Sequence, residues 1–319
     1  MTEIDRYLLA GRTVSGYLAA MIPTLFSVSY AGYWGQHRLS LTDFIRKAAA
    51  LGYSAVEVSG KRPHLSPLDA GETALAELRA AAQAAGVEIA TVAGYTDFTA
   101  GRTTPEVPYV EMQLAYIDRL ATLARSLGAK IVRVFSGYSP EATHYQADWD
   151  KCVKALSEAS ALAADRGVTL GLQNHHDVGL AVDAFEMLLD EVGHPNLKAM
   201  FDPWSVALVG EDLYLAARRL APRMVQTTLA DYVRINRYAY EPSLVNYRRL
   251  EPPTVRAVPL GDGFIDLEAF FAGLKEGGFE GYVCYEMCSP LRGGGSEANL
   301  DAAAKASLQK IRRLIGERS

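Results

Sequence analysis

The sequence predicts a closed (β/α)8 barrel in a single domain, and three observations predict it. Short apolar runs alternate with longer helical stretches from Thr24 to the end of the chain, the pattern of parallel βα units. Several helical stretches stop at a glycine, among them Gly52, Gly86 and Gly128, where a left-handed C-cap needs no Cβ. No Gly-x-Gly-x-x-Gly follows the first run, which removes the commonest signal of the rival doubly wound open sheet. Eight runs, each opening a βα unit, close most simply as a barrel.

The elements follow in order. The first run, residues 24–30, precedes a helix over 41–51, and the second, 55–60, a helix over 72–85. The third run, 88–94, leads into a helix over 107–127, where Val110, Leu114, Ile117, Ala121 and Ala124 keep helical spacing. The fourth, 130–136, is followed by a helix at 147–166; the fifth, 169–175, by one at 181–193; the sixth, 197–202, by one at 211–221. After the seventh run, 224–230, comes a long stretch, 233–260, crowded with tyrosine and arginine and carrying Pro242, Pro252, Pro253 and Pro259. It is expected to be an irregular loop acting as a lid. The eighth run, 282–287, precedes a final helix at 297–315. Residues 1–23 are expected to form an N-terminal extension with an amphipathic helix at about 5–20, leaving 24–319 as the barrel.

Composition narrows the partners. The 319 residues carry a net charge of -5, with 49% hydrophobic and 22% charged residues, an ordinary globular mix. No basic excess exists to neutralise a phosphate backbone, which argues against nucleic acid. No run approaches the ~20 apolar residues of a membrane span, and the N-terminus, with Glu3, Asp5, Gly11 and Arg12, does not read as a secretory signal. Cys152, Cys284 and Cys288 form neither a disulfide framework nor a Cys-x-x-Cys knuckle, which suits a reducing cytoplasm.

In such a barrel the chemistry sits at the C-terminal strand ends. Those ends offer Glu57, Ser136, Tyr138, the Gln173-Asn174-His175-His176-Asp177 run, Asp202, Trp204, Gln226, Thr228, Asp231 and Glu286. Carboxylates and amides without a cysteine cluster suit a hard divalent ion, Mn²⁺ or Mg²⁺; polar residues also cap strand ends that bind no metal. Histidine titrates near neutrality, with an ordinary pKa of ~6.5, so His175 and His176 are candidate catalytic groups or ligands. His175 shares strand parity with Gln173 and is expected to face the barrel mouth. Glu57 is a candidate for sugar hydroxyls, and Trp34 and Trp204 for stacking on a sugar face. Arg237 and Tyr247 in the long loop are candidate substrate contacts. Arg292, followed by three glycines, could cradle a phosphate or merely mark a turn.

The phrases Phe201-Asp202-Pro203-Trp204, Gly261-Asp262-Gly263-Phe264-Ile265-Asp266 and Tyr285-Glu286-Met287 resemble the xylose-isomerase-like superfamily of sugar isomerases and epimerases, over residues 24–316. The resemblance implies a (β/α)8 barrel that binds one divalent cation through Glu, Asp, His and Glu on strands five to eight. Carried over by position, those places are Gln173, Asp202, Gln226 and Glu286. Gln173 replaces the usual glutamate and Gln226 the usual histidine. Ser205 stands where a further histidine is often found. In the epimerases the two ligand glutamates also act as the acid/base pair, and Gln173 cannot accept a proton. The implied activity is proton abstraction next to the carbonyl of a keto-sugar or keto-polyol through a metal-stabilised enediolate, by Glu286 with His175 or His176. Isomerisation or epimerisation is the first expectation. β-Elimination by a keto-polyol dehydratase or 3-keto-glycoside deglycosidase is the second, and a non-catalytic sugar-binding barrel the third. A small carbohydrate is the expected partner, and the 233–260 segment would serve a homo-oligomer contact.

Overall fold

The computed structural model describes residues 21–102, 104–139 and 145–317. The extension helix expected at 5–20 lies outside them. The eight barrel strands are β1 (Ile22–Phe26), β2 (Ala55–Ser59), β3 (Glu88–Ala93), β4 (Ile131–Val134), β5 (Thr169–Gln173), β6 (Leu197–Met200), β7 (Met224–Leu229) and β10 (Tyr282–Tyr285). They are parallel throughout and close in the order β1-β10-β7-β6-β5-β4-β3-β2. Around them run α1 (Leu41–Leu51), α2 (Glu72–Ala85), α3 (Tyr109–Leu127), α4 (Tyr145–Asp165), α5 (Val182–Val192), α6 (Pro203–Val209), α7 (Leu213–Leu220), α8 (Leu267–Glu276) and α9 (Glu297–Ile315). Among the described residues, no helix is long and apolar enough to cross a membrane.

The helices bury their apolar stripes against the outside of the barrel: Phe44, Ile45 and Ala48 of α1, Ile117, Leu120 and Ala124 of α3, and Phe270, Phe271 and Leu274 of α8. The floor of the barrel interior is a small apolar layer of Ala55, Ala90, Ile131, Met200 and Tyr282. It needs a glycine neighbour: a Cβ on Gly171 would lie 2.3 Å from the Met200 sulfur. Above this floor the interior turns polar, with Glu57, Thr91, Arg133, Gln173 and Gln226 all buried. The long strand-to-helix connections therefore emerge over a layer of polar groups rather than a dry core.

Several expectations are corrected. The first run splits: the strand ends at Phe26, and Ser27–Tyr30 form a 3-10 turn. The turn aims its serines at neighbouring strand ends, Ser27 Oγ accepting from Ser59 N–H and Ser29 Oγ from Met287 N–H, both at 2.9 Å. The sixth unit carries two helices rather than one. Asp202 caps α6 through Trp204 N–H and Asp212 caps α7 through Leu215 N–H, so two N-caps separated by Gly210 divide the segment.

The expected loop at 233–260 is an antiparallel hairpin, β8 (Asp231–Glu241) and β9 (Asn246–Val258). Its prolines do not interrupt the pairing. The pairing steps from Ile235–Thr254 to Arg237–Leu250, so Pro252 and Pro253 fall in a bulge where no ladder N–H is required. Arg237 Nη2 there donates to Pro252 O at 2.9 Å.

Candidate active site

The polar layer is organised by one cation. Arg133 on β4 is 2% exposed, and its guanidinium donates from Nη1 to Gln173 Oε1 at 2.8 Å and from Nη2 to Gly94 O at 3.1 Å. Its Nε lies 3.8 Å from Glu57 Oε1, beyond hydrogen-bond distance. The rings of Phe26, Tyr95 and Phe135 surround the guanidinium carbon at 5.4, 4.9 and 4.2 Å, an arrangement favourable to a delocalised cation.

Two amides knit the strands together. Gln173 Nε2 donates to Asp202 Oδ2 at 3.2 Å. Across the barrel, Gln226 Nε2 donates to Glu57 Oε2 while its Oε1 accepts from Thr91 Oγ1 at 2.6 Å. The neighbours dictate both amide orientations: turned over, Gln173 would press its NH₂ against the guanidinium and its oxygen against a carboxylate. Asp202 is held by Trp204 N–H on Oδ1 at 2.9 Å, and its backbone by a reciprocal pair with the Asn174 side chain.

Glu286 follows β10, its N–H bonded to Leu229 O at 2.9 Å. Its Oε1 accepts from Cys288 Sγ at 3.3 Å. The thiol has one hydrogen, so Tyr232 OH donates to Sγ at 2.8 Å, and Trp204 Nε1 donates in turn to Tyr232 OH at 2.9 Å. A directed chain thus runs from Trp204 through Tyr232 and Cys288 to the carboxylate. Burial raises the pKa of Glu286, and the nearby Asp202 carboxylate raises it further; Arg133 opposes both. Burial likewise raises Asp202 and Glu57, with Arg133 again opposing.

The histidines take different places. The chain turns immediately after β5, His175 N–H bonding to Gln173 O at 2.9 Å. His175 is exposed at the rim, between Phe135 at 4.8 Å and Trp204 at 6.4 Å. Crowding within the concave mouth, and then the Arg133 charge, lower its pKa. His176 is buried, stacked on Tyr138 at 4.1 Å, with no partner for Nδ1 among the described residues; burial, then His175 and Arg133, push it down to about 3. It borders a cavity of about 510 Å³ lined also by Tyr95, Asp97, Tyr116, Phe135 and Tyr138, which shares the Phe135 wall with the Arg133 cluster.

The structure therefore brings together Glu57, Gln173, Asp202, Gln226 and Glu286, with His175, His176 and Trp204 around them. The other four expected contacts make interactions of their own. Trp34 is exposed and packs on Tyr33 at 5.7 Å. Arg237 and Tyr247 stand exposed on the hairpin, Tyr247 against Tyr240 at 5.2 Å. Arg292 reaches Asp262 at 3.4 Å.

The four positions implied as metal ligands do not fit a divalent ion as arranged. Gln173 and Gln226 turn N–H donors toward carboxylates, and their oxygens are already engaged by Arg133 and Thr91. Among the described residues, no group of three or more His, Cys, Asp or Glu side chains gathers into a cation site. Sequence reasoning missed Arg133 and Tyr232. Arg133 had a signal: it is the one charge in the strand Ile131-Val-Arg-Val.

The Gly261–Asp266 motif has a structural task. It wraps Asp231, whose carboxylate accepts from the N–H groups of Tyr232, Gly261, Gly263 and Ile265. A Cβ on Gly263 would come within 2.0 Å of Asp231 Oδ1.

Comparison with known proteins agrees with this architecture. Over 296 residues the chain is 23% identical to fructoselysine 3-epimerase of Escherichia coli O157:H7, covering 89% of this chain and 96% of that protein. Over 143 residues it is 26% identical to inosose dehydratase of Geobacillus thermodenitrificans, covering 44% of this chain. That match spans only about half the relative's length, 47%. The fold superposes on a xylose isomerase domain protein from Alicyclobacillus acidocaldarius with a TM-score of 0.70 at 20% identity, covering 93% of this chain and 99% of that one. The family model for the xylose isomerase-like TIM barrel matches residues 45–314, and the chain belongs to that family.

Proposed function

We propose that this protein is an enzyme that removes the proton next to the carbonyl of a keto-carbohydrate and returns it as an isomerase or epimerase. The observation that carries this reading is Glu286: a buried carboxylate with a raised pKa, held through one oxygen by Cys288, close to the Arg133 cluster. A base whose pKa approaches the working pH is suited to proton transfer. Both histidines are pushed the other way, so Glu286 takes the proton and the neutral imidazole of His175 at the rim binds and orients hydroxyls. As the C–H bond breaks, its electron pair moves toward the carbonyl oxygen, and the enediolate charge develops in the positive field of Arg133. Glu286, now protonated, returns its proton to the former carbonyl carbon while the neighbouring hydroxyl proton passes to the former carbonyl oxygen, which gives the isomer. A proton taken instead from water at the opposite face of the first carbon, with the Glu286 proton passing to the hydroxide, gives the epimer. The Mn²⁺ or Mg²⁺ implied by the resemblance has no part in these steps, because the donors do not fit it. Similarity to a 3-epimerase over nearly the whole chain supports the reaction class.

A second reading, elimination, is favoured by the aromatic-lined cavity beside the mouth, which has room for a substituent larger than a free monosaccharide. There the enediolate expels a β-oxygen substituent, and the Glu286 proton passes to the leaving oxygen. The partial match to a dehydratase is consistent with it.

Incubating ketohexoses, an inosose and 3-keto-glycosides with the protein in D₂O tests both readings by NMR. Deuterium at the carbon next to the carbonyl, with or without loss of a substituent, is the expected result. Glu286→Gln should slow exchange about 10²–10⁴-fold. Unchanged exchange in that variant would remove Glu286 from the base role, and no exchange with any ketone would remove the reading itself.

A further inference from the structure

We propose that the barrel holds its own cation, the Arg133 guanidinium, in the electrostatic place of a divalent metal, and that the chain is metal-independent. Three independent features of the site point there. The first is the direction of the amides. Gln173 and Gln226 stand at two ligand positions with their N–H groups turned toward Asp202 and Glu57, so each satisfies a carboxylate that would otherwise seek a cation.

The second is the pairing of Arg133 with a neutral partner. A carboxylate at position 173 would form a buried ion pair with Arg133 and cancel its charge. The Gln173 amide accepts one guanidinium hydrogen bond at 2.8 Å and cancels nothing. The positive charge stays effective at Glu57, Asp202 and Glu286, each of whose pKa values it lowers against the effect of burial.

The third is the cage. Phe26, Tyr95 and Phe135 present their rings to the guanidinium carbon within 5.4 Å, which holds a planar organic cation but offers a metal no ligand. A divalent ion beside this guanidinium would also meet like-charge repulsion in a low-dielectric interior. The catalytic use of the charge rests on the proton-abstraction reading above; the exclusion of metal does not.

The test is read without substrate. The probe is Mn²⁺ alone, added to purified full-length protein, followed by desalting, elemental analysis and an EPR titration. The expected content is below about 0.1 equivalent in wild type, whereas the triple variant Arg133→Met/Gln173→Glu/Gln226→His should take up about one. About one equivalent in wild type, lost in Asp202→Asn, would overturn the proposal. So would a triple variant that melts cooperatively and binds none. Should that variant fail to fold, Gln173→Glu/Gln226→His with Arg133 kept provides the decision: it should stay metal-poor, and stoichiometric Mn²⁺ there would show that Arg133 does not exclude the ion. A failed ketone screen leaves this result standing, and a positive metal result leaves the Glu286 assignment standing.

Discussion

Asp231 and Glu286 are both buried acids just beyond strand ends, and their surroundings separate their tasks. Asp231 is saturated by four backbone N–H groups from its own turn and the Gly261–Ile265 segment; it holds structure. Glu286 accepts from a weak donor, the Cys288 thiol, and keeps capacity for a proton. Removing the Asp231 carboxylate strands those backbone donors, so Asp231→Ala should destabilise the fold by about 3 kcal/mol or more, read from the urea midpoint. A loss under about 1 kcal/mol would mean that the segment is held by other contacts. Both acids, like Asp202, were legible as polar residues at strand ends. Their division of labour was not, because it depends on which donors arrive from segments 30 or more residues away.

At the scale of elements, the β8–β9 hairpin is the departure from the plain barrel. Its base is anchored: Tyr232 and Ala257 are buried, and Ala257 N–H bonds to Pro290 O. Beyond Val233 its residues are largely exposed and pair with each other, with Ile235, Tyr238, Tyr240, Leu244, Val245 and Tyr247 presented to solvent. Replacing residues 236–253 by an Asn-Gly turn between the paired Ile235 and Thr254 should therefore leave the barrel's urea stability within about 1 kcal/mol. A drop above about 3 kcal/mol would show that the hairpin carries part of the fold. The segment's boundaries were legible from composition. Its strand character was hidden because the prolines that argue against a strand sit in a bulge.

At the scale of the molecule, two buried neutral histidines contribute stability that acid removes. His64 is buried, with Nδ1 on Ser27 Oγ at 2.9 Å, and burial pushes it down to about 4; His176 lies lower still, at about 3. Above pH ~6.5 neither folded nor unfolded histidine carries the proton. As pH falls below that value the unfolded chain binds protons at these two histidines that the folded protein refuses, so their contribution to stability falls across roughly pH 6.5 to 4, while the raised Glu286 and Asp202 carboxyls act in the opposite direction. His64→Gln should flatten this slope in urea titrations at successive pH values. An unchanged slope would mean that the imidazole protonates freely in the folded state.

Sequence by itself determined the barrel: local alternation of apolar runs and glycine-ended helices is written along the chain, and closure follows from eight such units. It also determined the chemical character of the mouth, since strand-end position alone nominates Glu57, Gln173, Asp202, Gln226 and Glu286. Only the tertiary structure decided what those residues do to one another. Whether a glutamine offers its oxygen to an ion or its N–H to a carboxylate depends on its neighbours across the barrel, and here those neighbours are Arg133, Asp202, Thr91 and Glu57. They come from strands far apart in sequence, and hydrogen-bond direction is a property of their meeting.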